Sequence, residues 1–112
     1  MIEIKRRDDA TLPTEYGCKF WRLQPWGVSG GSDRGTALAV IAPGTTTTPH
    51  AHAEEEMFFV VRGRGHVRVG DERVAIGAGD VLRVSPGRDH VIENPSDEVL
   101  EVLCSWYPAE GR

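Results

Sequence analysis

The sequence has no hydrophobic run of about eighteen residues, the length that a membrane-crossing helix needs, and no hydrophobic signal segment follows Met1. Its 13 basic residues are scattered, and with 17 acidic residues they give a net charge of −4. A protein that binds nucleic acid needs its basic residues clustered on one face. We therefore expect a cytoplasmic protein with no membrane partner and no nucleic-acid partner.

Cysteine is also scarce, and the chain contains only Cys18 and Cys104. Two cysteines this far apart match neither a disulfide framework nor a zinc knuckle. Because the sequence shows no signal segment for an oxidising compartment, we expect both cysteines to be reduced thiols.

Helical spacing of apolar residues is absent as well. In its place, roughly eight to ten short apolar or β-branched segments are separated by glycine, proline, asparagine and aspartate, which is typical of an antiparallel barrel or sandwich. A chain of 112 residues suits one core, so we expect one domain over residues 1–112. The expected strands cover residues 18–23, 36–42, 45–48, 57–61, 64–69, 72–76, 81–84, 90–94 and 99–107, with a weaker candidate at 1–5 and a loop rich in glycine at 24–35.

Residues 44–63 carry the most chemical information, because two histidines one residue apart are followed by three glutamates. If this stretch is extended, alternate side chains share a face. The polar side chains that would converge on one face are His50, His52, Glu54 and Glu56. The apolar run at 57–61 then predicts a strand buried on both faces. Polar side chains at the mouth of such a strand need a partner, because burying them unpaired is costly.

Two sequence motifs are similar to those of the cupin superfamily. The first family motif, G(X)5HXH(X)3-4E(X)6G, is matched at every position by Gly44, His50, His52, Glu56 and Gly63. The second, G(X)5PXG(X)2H(X)3N, is matched by Gly79, Gly87, His90 and Asn94, while Ser85 stands where the family usually has proline. The resemblance implies a small single-domain cupin with an all-β fold, an antiparallel double-stranded β-helix or jelly-roll barrel, whose metal-site core covers residues 44–94.

The same resemblance implies a site for one divalent transition metal ion. The implied ligands are His50, His52, Glu56 and His90. Three neutral imidazoles and one carboxylate suit a metal such as Fe, Zn, Mn or Ni, and they leave one or two coordination positions open. The alternative is a metal-free barrel in which these side chains hydrogen-bond to one another or to a ligand. His66 lies outside both motifs, and we expect it to be an ordinary surface histidine.

Glu54 is the candidate catalytic residue, because a carboxylate at the barrel mouth beside a metal site can move a proton. The alternative is that Glu54 and Glu55 form a solvated rim beside Arg62 or Arg88. Arg88 itself either holds an anionic substrate or faces water. Asn94 is expected to be a turn or hydrogen-bonding residue.

Side chains with the same parity as the ligands are expected to line the barrel interior and to leave a narrow, mostly apolar pocket for a small ligand. These side chains are Phe58, Val60, Val67, Val69 and Ile92. Four further aromatic residues are candidates for either the pocket wall or a subunit interface. They are Trp21, Trp26, Trp106 and Tyr107.

We expect a metal-dependent enzyme that acts on a small-molecule substrate, with the metal as a Lewis acid or an oxygen-activating centre. It would be either a dioxygenase or a redox-neutral isomerase, lyase or rearrangement enzyme. The alternative is a non-catalytic module that binds or senses a small ligand. The resemblance also implies a homodimer, formed through the outward side chains of Met57, Phe59 and Val61 or by exchange of the N-terminal strand.

Overall fold

The computed structural model describes residues 1–27 and 32–109. Within these ranges the chain forms ten β-strands and a short 3-10 turn at Asp9–Thr11, and it contains no α-helix. No helical segment in the described ranges has the length and hydropathy to cross a membrane. The strands are β1 (Thr14–Glu15), β2 (Cys18–Gln24), β3 (Gly35–Ile41), β4 (Thr45–Thr46), β5 (Glu55–Arg62), β6 (Arg64–Val69), β7 (Glu72–Gly77), β8 (Val81–Val84), β9 (His90–Asn94) and β10 (Leu100–Tyr107).

The strands form two antiparallel sheets. The larger sheet has the order β1-β2-β3-β10-β5-β8, and the smaller sheet has the order β4-β9-β6-β7. Apolar side chains from both sheets meet in one core, and the predicted interior residues Phe58, Val60, Val67 and Ile92 belong to it, with Val69 packed against them. The predicted all-β fold of the jelly-roll type is therefore confirmed.

Glycine fixes two turns next to the strands of the first motif. Gly63, between β5 and β6, has a φ of +87°, and a Cβ atom there would lie 2.5 Å from the carbonyl oxygen of Val99. Only glycine meets both conditions without strain. The predicted hairpin of β6 and β7 also forms, and Gly70 in its turn has a φ of +57°.

Asn94, the last residue of β9, holds the neighbouring turns together. Its side chain is 1% exposed, and its amide group donates hydrogen bonds to the carbonyl oxygens of Ile41 and Glu98 at 3.0 and 2.8 Å. Its own carbonyl oxygen accepts from the backbone N–H of Ser96 at 3.1 Å. Asn94 therefore has the hydrogen-bonding role that its place in the second motif predicts.

Two predicted strands are wrong or too long. Residues 1–5 form no strand, and the side chains of Ile2 and Ile4 are exposed. The run at 45–48 is a strand only at Thr45–Thr46. The predicted loop between β2 and β3 is present where it is described, and its residues 28–31 lie outside the described ranges.

The histidine pair does not lie on an extended strand, contrary to the prediction. Strand β5 begins only at Glu55, and before it His50 makes an isolated bridge to His90 of the other sheet. Pro49 directly precedes this bridge and has no N–H to give to a ladder. The strand is also buried on one face only, because Phe58 is 2% exposed whereas Val61 is 46% exposed.

Candidate metal centre

The four predicted ligand side chains come from three separate segments and meet at one end of the barrel. His50 and His52 lie in the loop before β5, Glu56 is the second residue of β5, and His90 is the first residue of β9. One potential ligand atom from each of these residues lies within 4.8 Å of the other three. The structure therefore brings the two motifs into one cluster that could hold a metal ion.

Backbone hydrogen bonds between the two motifs build this cluster. His50 and His90 exchange N–H to carbonyl hydrogen bonds at 3.4 and 3.0 Å, and the N–H of Gly87 donates to the carbonyl of His52 at 2.8 Å. These bonds connect the loop of the first motif to the loop of the second. The side chains therefore converge through bridge contacts rather than through the alternation of one strand.

Each histidine ring is oriented by a carbonyl oxygen of the backbone. The Nδ1 atoms of His50, His52 and His90 lie 3.1, 3.1 and 3.2 Å from the carbonyl oxygens of residues 48, 54 and 88. Because a carbonyl oxygen can only accept, each Nδ1 must carry the hydrogen. The Nε2 atom of each neutral ring is then left with a free lone pair, which is the arrangement found in histidines that bind metals.

Glu56 lies between two of these lone pairs. One oxygen of its carboxylate is 3.1 Å from Nε2 of His52 and 3.1 Å from Nε2 of His90. Glu56 and His90 are 6% and 3% exposed, and Nε2 of His90 is buried without a hydrogen-bond partner in the described chain. A carboxylate oxygen that faces two acceptor nitrogens needs a proton or a cation among them. The donor set and this orphaned nitrogen fit a divalent metal ion.

The pKa values of two ligand histidines shift in opposite directions. Burial is the largest cause for His50, and it lowers the pKa of that ring. Burial also acts to lower the pKa of His90, but the Glu56 carboxylate and the carbonyl of Arg88 outweigh it and raise the pKa overall. The His90 ring therefore holds a proton more readily than the His50 ring does.

A cavity of about 340 Å³ opens beside the cluster. Phe58 and Ile92 form part of its apolar lining, as predicted. The pocket is nevertheless more polar than expected, because several polar side chains also line it. These are Tyr16, Arg22, Ser32, Asp33, Thr47 and Glu54.

Glu54 lines this cavity, but its carboxylate lies on the outer side of the histidine cluster. Its Oε1 atom is 3.7 Å from Nδ1 of His52, and its side chain is 27% exposed. Neither Arg62 nor Arg88 forms the predicted rim with the glutamates, since Glu55 pairs with Arg83 on the outer side of β5. Glu54 is thus placed to act on His52 or on a ligand in the cavity.

Arg88 and His66 lie outside the cavity. Arg88 is exposed and its guanidinium group lies against Gly70, so of its two predicted roles the structure shows the one that faces water. His66 alternates with the inward Val67 on β6 and so points away from the core. It is half-buried rather than fully at the surface, and its Nδ1 atom has no partner within the described residues.

The three tryptophans differ in their position relative to the cavity. Trp106 lines the cavity, stacks on Phe20 with a centroid distance of 6.3 Å, and donates from Nε1 to the carbonyl of Ser32 at 3.1 Å. Trp26 is 39% exposed and lies under Lys5. Trp21 is half-buried on the outer face of β2, because Phe20 and Arg22 on either side of it line the cavity.

Tyr16 and Arg22 are cavity residues that the sequence motifs do not indicate. The ring of Tyr16 stacks on the imidazole of His50 at 4.5 Å, and its backbone has a φ of +54°. Non-glycine residues at positive φ are often found at functional sites, where the surrounding structure holds them in place. For Arg22 the one available signal in the sequence was the alternation of residues in β2. This alternation left open which of the two faces of the strand points inward.

Both cysteines are free and buried in the core, as expected for reduced thiols. Burial raises the pKa of Cys18 to about 11 and raises that of Cys104 well above its usual value. Cys104 lines the cavity below Glu56. Its thiol is therefore protonated at neutral pH and is a poor nucleophile.

Comparison with known proteins identifies the family. The Cupin_2 family, described as a cupin domain, matches residues 37–106. An uncharacterised protein of Methanocaldococcus jannaschii is 32% identical over 94% of this chain and 86% of its own length. The crystal structure of a Cupin 2 conserved barrel domain protein from Salinispora arenicola superposes with a TM-score of 0.85 and 30% identity over 97% of this chain and 91% of its own. The chain therefore belongs to the Cupin_2 family.

Two similar proteins carry functional names. An oxalate-binding protein of Thermotoga maritima is 34% identical over 57% of this chain and 54% of its own length. A 1-methylthio-D-xylulose 5-phosphate methylsulfurylase of Rhodospirillum rubrum is 30% identical over 57% of this chain and 41% of its own length. Both similarities cover only part of each protein, so they are similarities of the shared domain.

Proposed function

We propose that this cupin is a metal-dependent enzyme that acts on a small metabolite. The observation that carries the proposal is the set of three Nε2 lone pairs, each fixed by a backbone carbonyl on the far side of its ring, around the buried carboxylate of Glu56. This set opens onto a cavity of about 340 Å³, a size suited to a small molecule. A purely structural site is closed, whereas a catalytic one keeps an open position.

In this proposal each side chain has a distinct task. The ligands would be His50, His52, Glu56 and His90, and the bound metal would supply a Lewis acid or an oxygen-activating centre. Glu54 would take or give a proton at the substrate, because this residue lines the same cavity. Phe58, Ile92 and Trp106 would exclude water from the bound substrate.

The proposal includes two reaction classes, and the identity of the bound metal would distinguish them. An iron site would favour a dioxygenase, whereas Zn, Mn or Ni would favour redox-neutral isomerisation, elimination or rearrangement. The relative named as a methylsulfurylase supports an enzymatic role for a domain of this kind.

A non-catalytic module that binds or senses a small ligand is the second candidate. The relative named as an oxalate-binding protein supports it. The same ligand cluster would then hold the small molecule through the metal without turnover. The two candidates therefore share the site and differ in whether a bound molecule is converted.

Metal analysis of protein purified without added metal, followed by oxygen uptake and product analysis with small metabolites, tests both candidates. About one equivalent of a transition metal and conversion of a substrate would support the enzyme. One equivalent of metal with tight binding and no conversion would support the binding module. Protein that neither contains metal nor binds Zn, Mn, Fe or Ni after purification would refute both.

We also propose a homodimer formed through the outer face of the larger sheet. Apolar side chains of neighbouring strands lie opposite one another across five strands on this face, in the row Trp21, Leu38, Leu103, Phe59 and Val81. Val81 is 61% exposed and Val61 on the same face is 46% exposed. Leu38 in this row is already only 8% exposed, so a second copy would remove the more exposed members, such as Val81, from water. Light scattering should give twice the chain mass, and a mass equal to one chain would refute the dimer.

A further inference from the structure

We infer that Arg22 binds a carboxylate group of the substrate, so that the cavity selects small molecules with one anionic end at Arg22 and another oxygen donor at the metal centre. This inference rests on the proposed function and extends it to a substrate class. It comes from the position of Arg22 on β2, which lies outside both cupin motifs.

The guanidinium group of Arg22 is held rigidly in the cavity wall. Its Nε and Nη2 atoms donate to the two carboxylate oxygens of Glu15 at 3.2 and 2.8 Å. Its central carbon lies 5.2 Å from the ring centroid of Phe20 and 5.6 Å from that of Trp106. The side chain is only 19% exposed. Such a group is already oriented for a ligand, so little conformational entropy is lost when it binds one.

Arg22 keeps unused donors in this arrangement. A guanidinium group has five N–H donors, and Glu15 takes one from Nε and one from Nη2. The Tyr16 side chain accepts a further hydrogen bond from the guanidinium group. Two of the five donors then remain for a ligand in the cavity that Arg22 lines. The hydrogen bond to Glu15 is also the main cause that raises the pKa of Arg22, while burial opposes it. The group therefore stays charged with donors free for an anion.

Arg22 is the point in the cavity wall where an anionic group can find a positive charge. Arg22 is the sole arginine or lysine among the described residues that line the cavity. A divalent ion bound to three neutral histidines and the Glu56 carboxylate would form a second cationic point. The acidic side chains of Glu54 and Asp33 also line the cavity, so a ligand with a free ammonium or no charge is the competing class.

The topology separates these two cationic points. Strand β2 lies three positions from β5 in the larger sheet, which corresponds to roughly 14 Å along a flat sheet at about 4.8 Å per strand. The curvature of the barrel and the inward side chains shorten this separation. A molecule with oxygen donors at both ends, such as a small dicarboxylate, could contact both points at once.

Calorimetry on the zinc-loaded protein tests the inference without knowledge of the natural substrate. The probes are the dicarboxylates from oxalate to glutarate and the monoamide of each, which removes the charge at one end only. We expect at least one dicarboxylate to bind about tenfold more tightly than its monoamide. In Arg22→Gln this preference should fall to within about twofold, with zinc affinity unchanged. Arg73→Gln is the matched control, because Arg73 pairs with Glu93 at 2.8 Å on the outer side of the smaller sheet.

Glu15→Gln separates anion binding from a structural role of the Arg22–Glu15 pair. The inference predicts that this variant keeps or increases the preference for the dicarboxylate, since Arg22 retains its charge and loses its anionic partner. A purely structural role predicts the same loss as in Arg22→Gln. Equal binding of every diacid and its monoamide by the wild-type protein, or a preference that persists in Arg22→Gln, would overturn the inference. A wild-type protein that does not bind zinc would instead count against the proposed function.

Discussion

The two walls of the cavity differ in how the sequence encodes them. The wall formed by the loop before β5, by β5 itself and by β9 carries the ligand cluster, and all four of its ligands stand in recognisable motifs. The wall formed by β2 and by the turn before it carries Tyr16, Phe20 and Arg22, and no motif covers it. In the proposed function the first wall would supply the metal chemistry and the second wall would select the substrate.

Removal of one ligand should give the largest effect, because it acts on the wall that carries the chemistry. In His90→Ala or Glu56→Gln, metal affinity should fall by on the order of 100-fold, since a three-ligand set leaves the remaining buried groups poorly satisfied. Titration of metal-free protein with zinc measures this. His66→Ala is the control and should bind zinc as the wild-type protein does. If His66→Ala loses as much zinc affinity as the two ligand variants do, the cluster is not the metal site.

Glu54→Gln should come second, because it removes a proton acceptor and leaves the ligands in place. Turnover of the first identified substrate should fall by about 100-fold, while metal content stays at the wild-type level. Steady-state kinetics with metal analysis of the same sample is the measurement. If metal is lost together with turnover, Glu54 acts by positioning His52, whose Nδ1 lies 3.7 Å away, and not in proton transfer.

Substitution of Tyr16 should have a smaller effect on metal affinity. It tests whether the two walls are coupled, because Tyr16 of one wall contacts His50 of the other. Tyr16→Leu removes the ring that stacks on His50 at 4.5 Å, so metal affinity should fall by about threefold to tenfold. Tyr16→Phe keeps the stacked ring and should retain wild-type affinity. Zinc titration of both variants measures this difference. Equal zinc affinities of Tyr16→Leu and Tyr16→Phe would show that the two walls are independent.

The smallest effect is expected on the outer side of the smaller sheet, on the face that points away from the cavity. The hydrogen bond from Arg73 is the main cause that lowers the pKa of Glu93. A lowered pKa means that the pair stabilises the fold above the pKa of the unfolded chain, and that this contribution is lost as the pH falls through the folded value. Arg73→Gln should therefore lower stability at pH 7 by less than about 1 kcal/mol and remove this part of the acid dependence. Urea unfolding of both proteins at several pH values measures this effect. A stability difference between wild type and variant that does not shrink in acid would contradict the prediction.

The same contrast sets the limit of prediction from sequence. Spacing and turn residues predicted the bounds of β8 and β9 and the β6–β7 hairpin. The resemblance to the two cupin motifs predicted the membership of the ligand cluster. The extended strand through His50 and His52 was wrong in local structure, because backbone bonds between His50 and His90 bring these residues together over a long separation. Such contacts leave no periodic signal in the sequence.

The role of β2 was not predictable for a different reason. Each of its faces alternates apolar with charged residues, with Lys19 beside Trp21 on one face and Arg22 beside Phe20 on the other. Burial of Arg22 depends on its pairing with Glu15 across the adjacent turn, and hydrophobic patterning does not encode such a partner. The outer face of β5 was misjudged similarly, since an apolar run alone does not show whether one face or both are covered.

The central claim is that the four-residue cluster binds a metal ion. Its most direct test is anomalous diffraction from crystals of the protein loaded with the metal that is found in it after purification. The account predicts one strong peak at the metal absorption edge, within bonding distance of the Nε2 atoms of His50, His52 and His90 and a carboxylate oxygen of Glu56. A peak elsewhere, or ordered side chains in hydrogen bonds to one another with no peak among them, would contradict it.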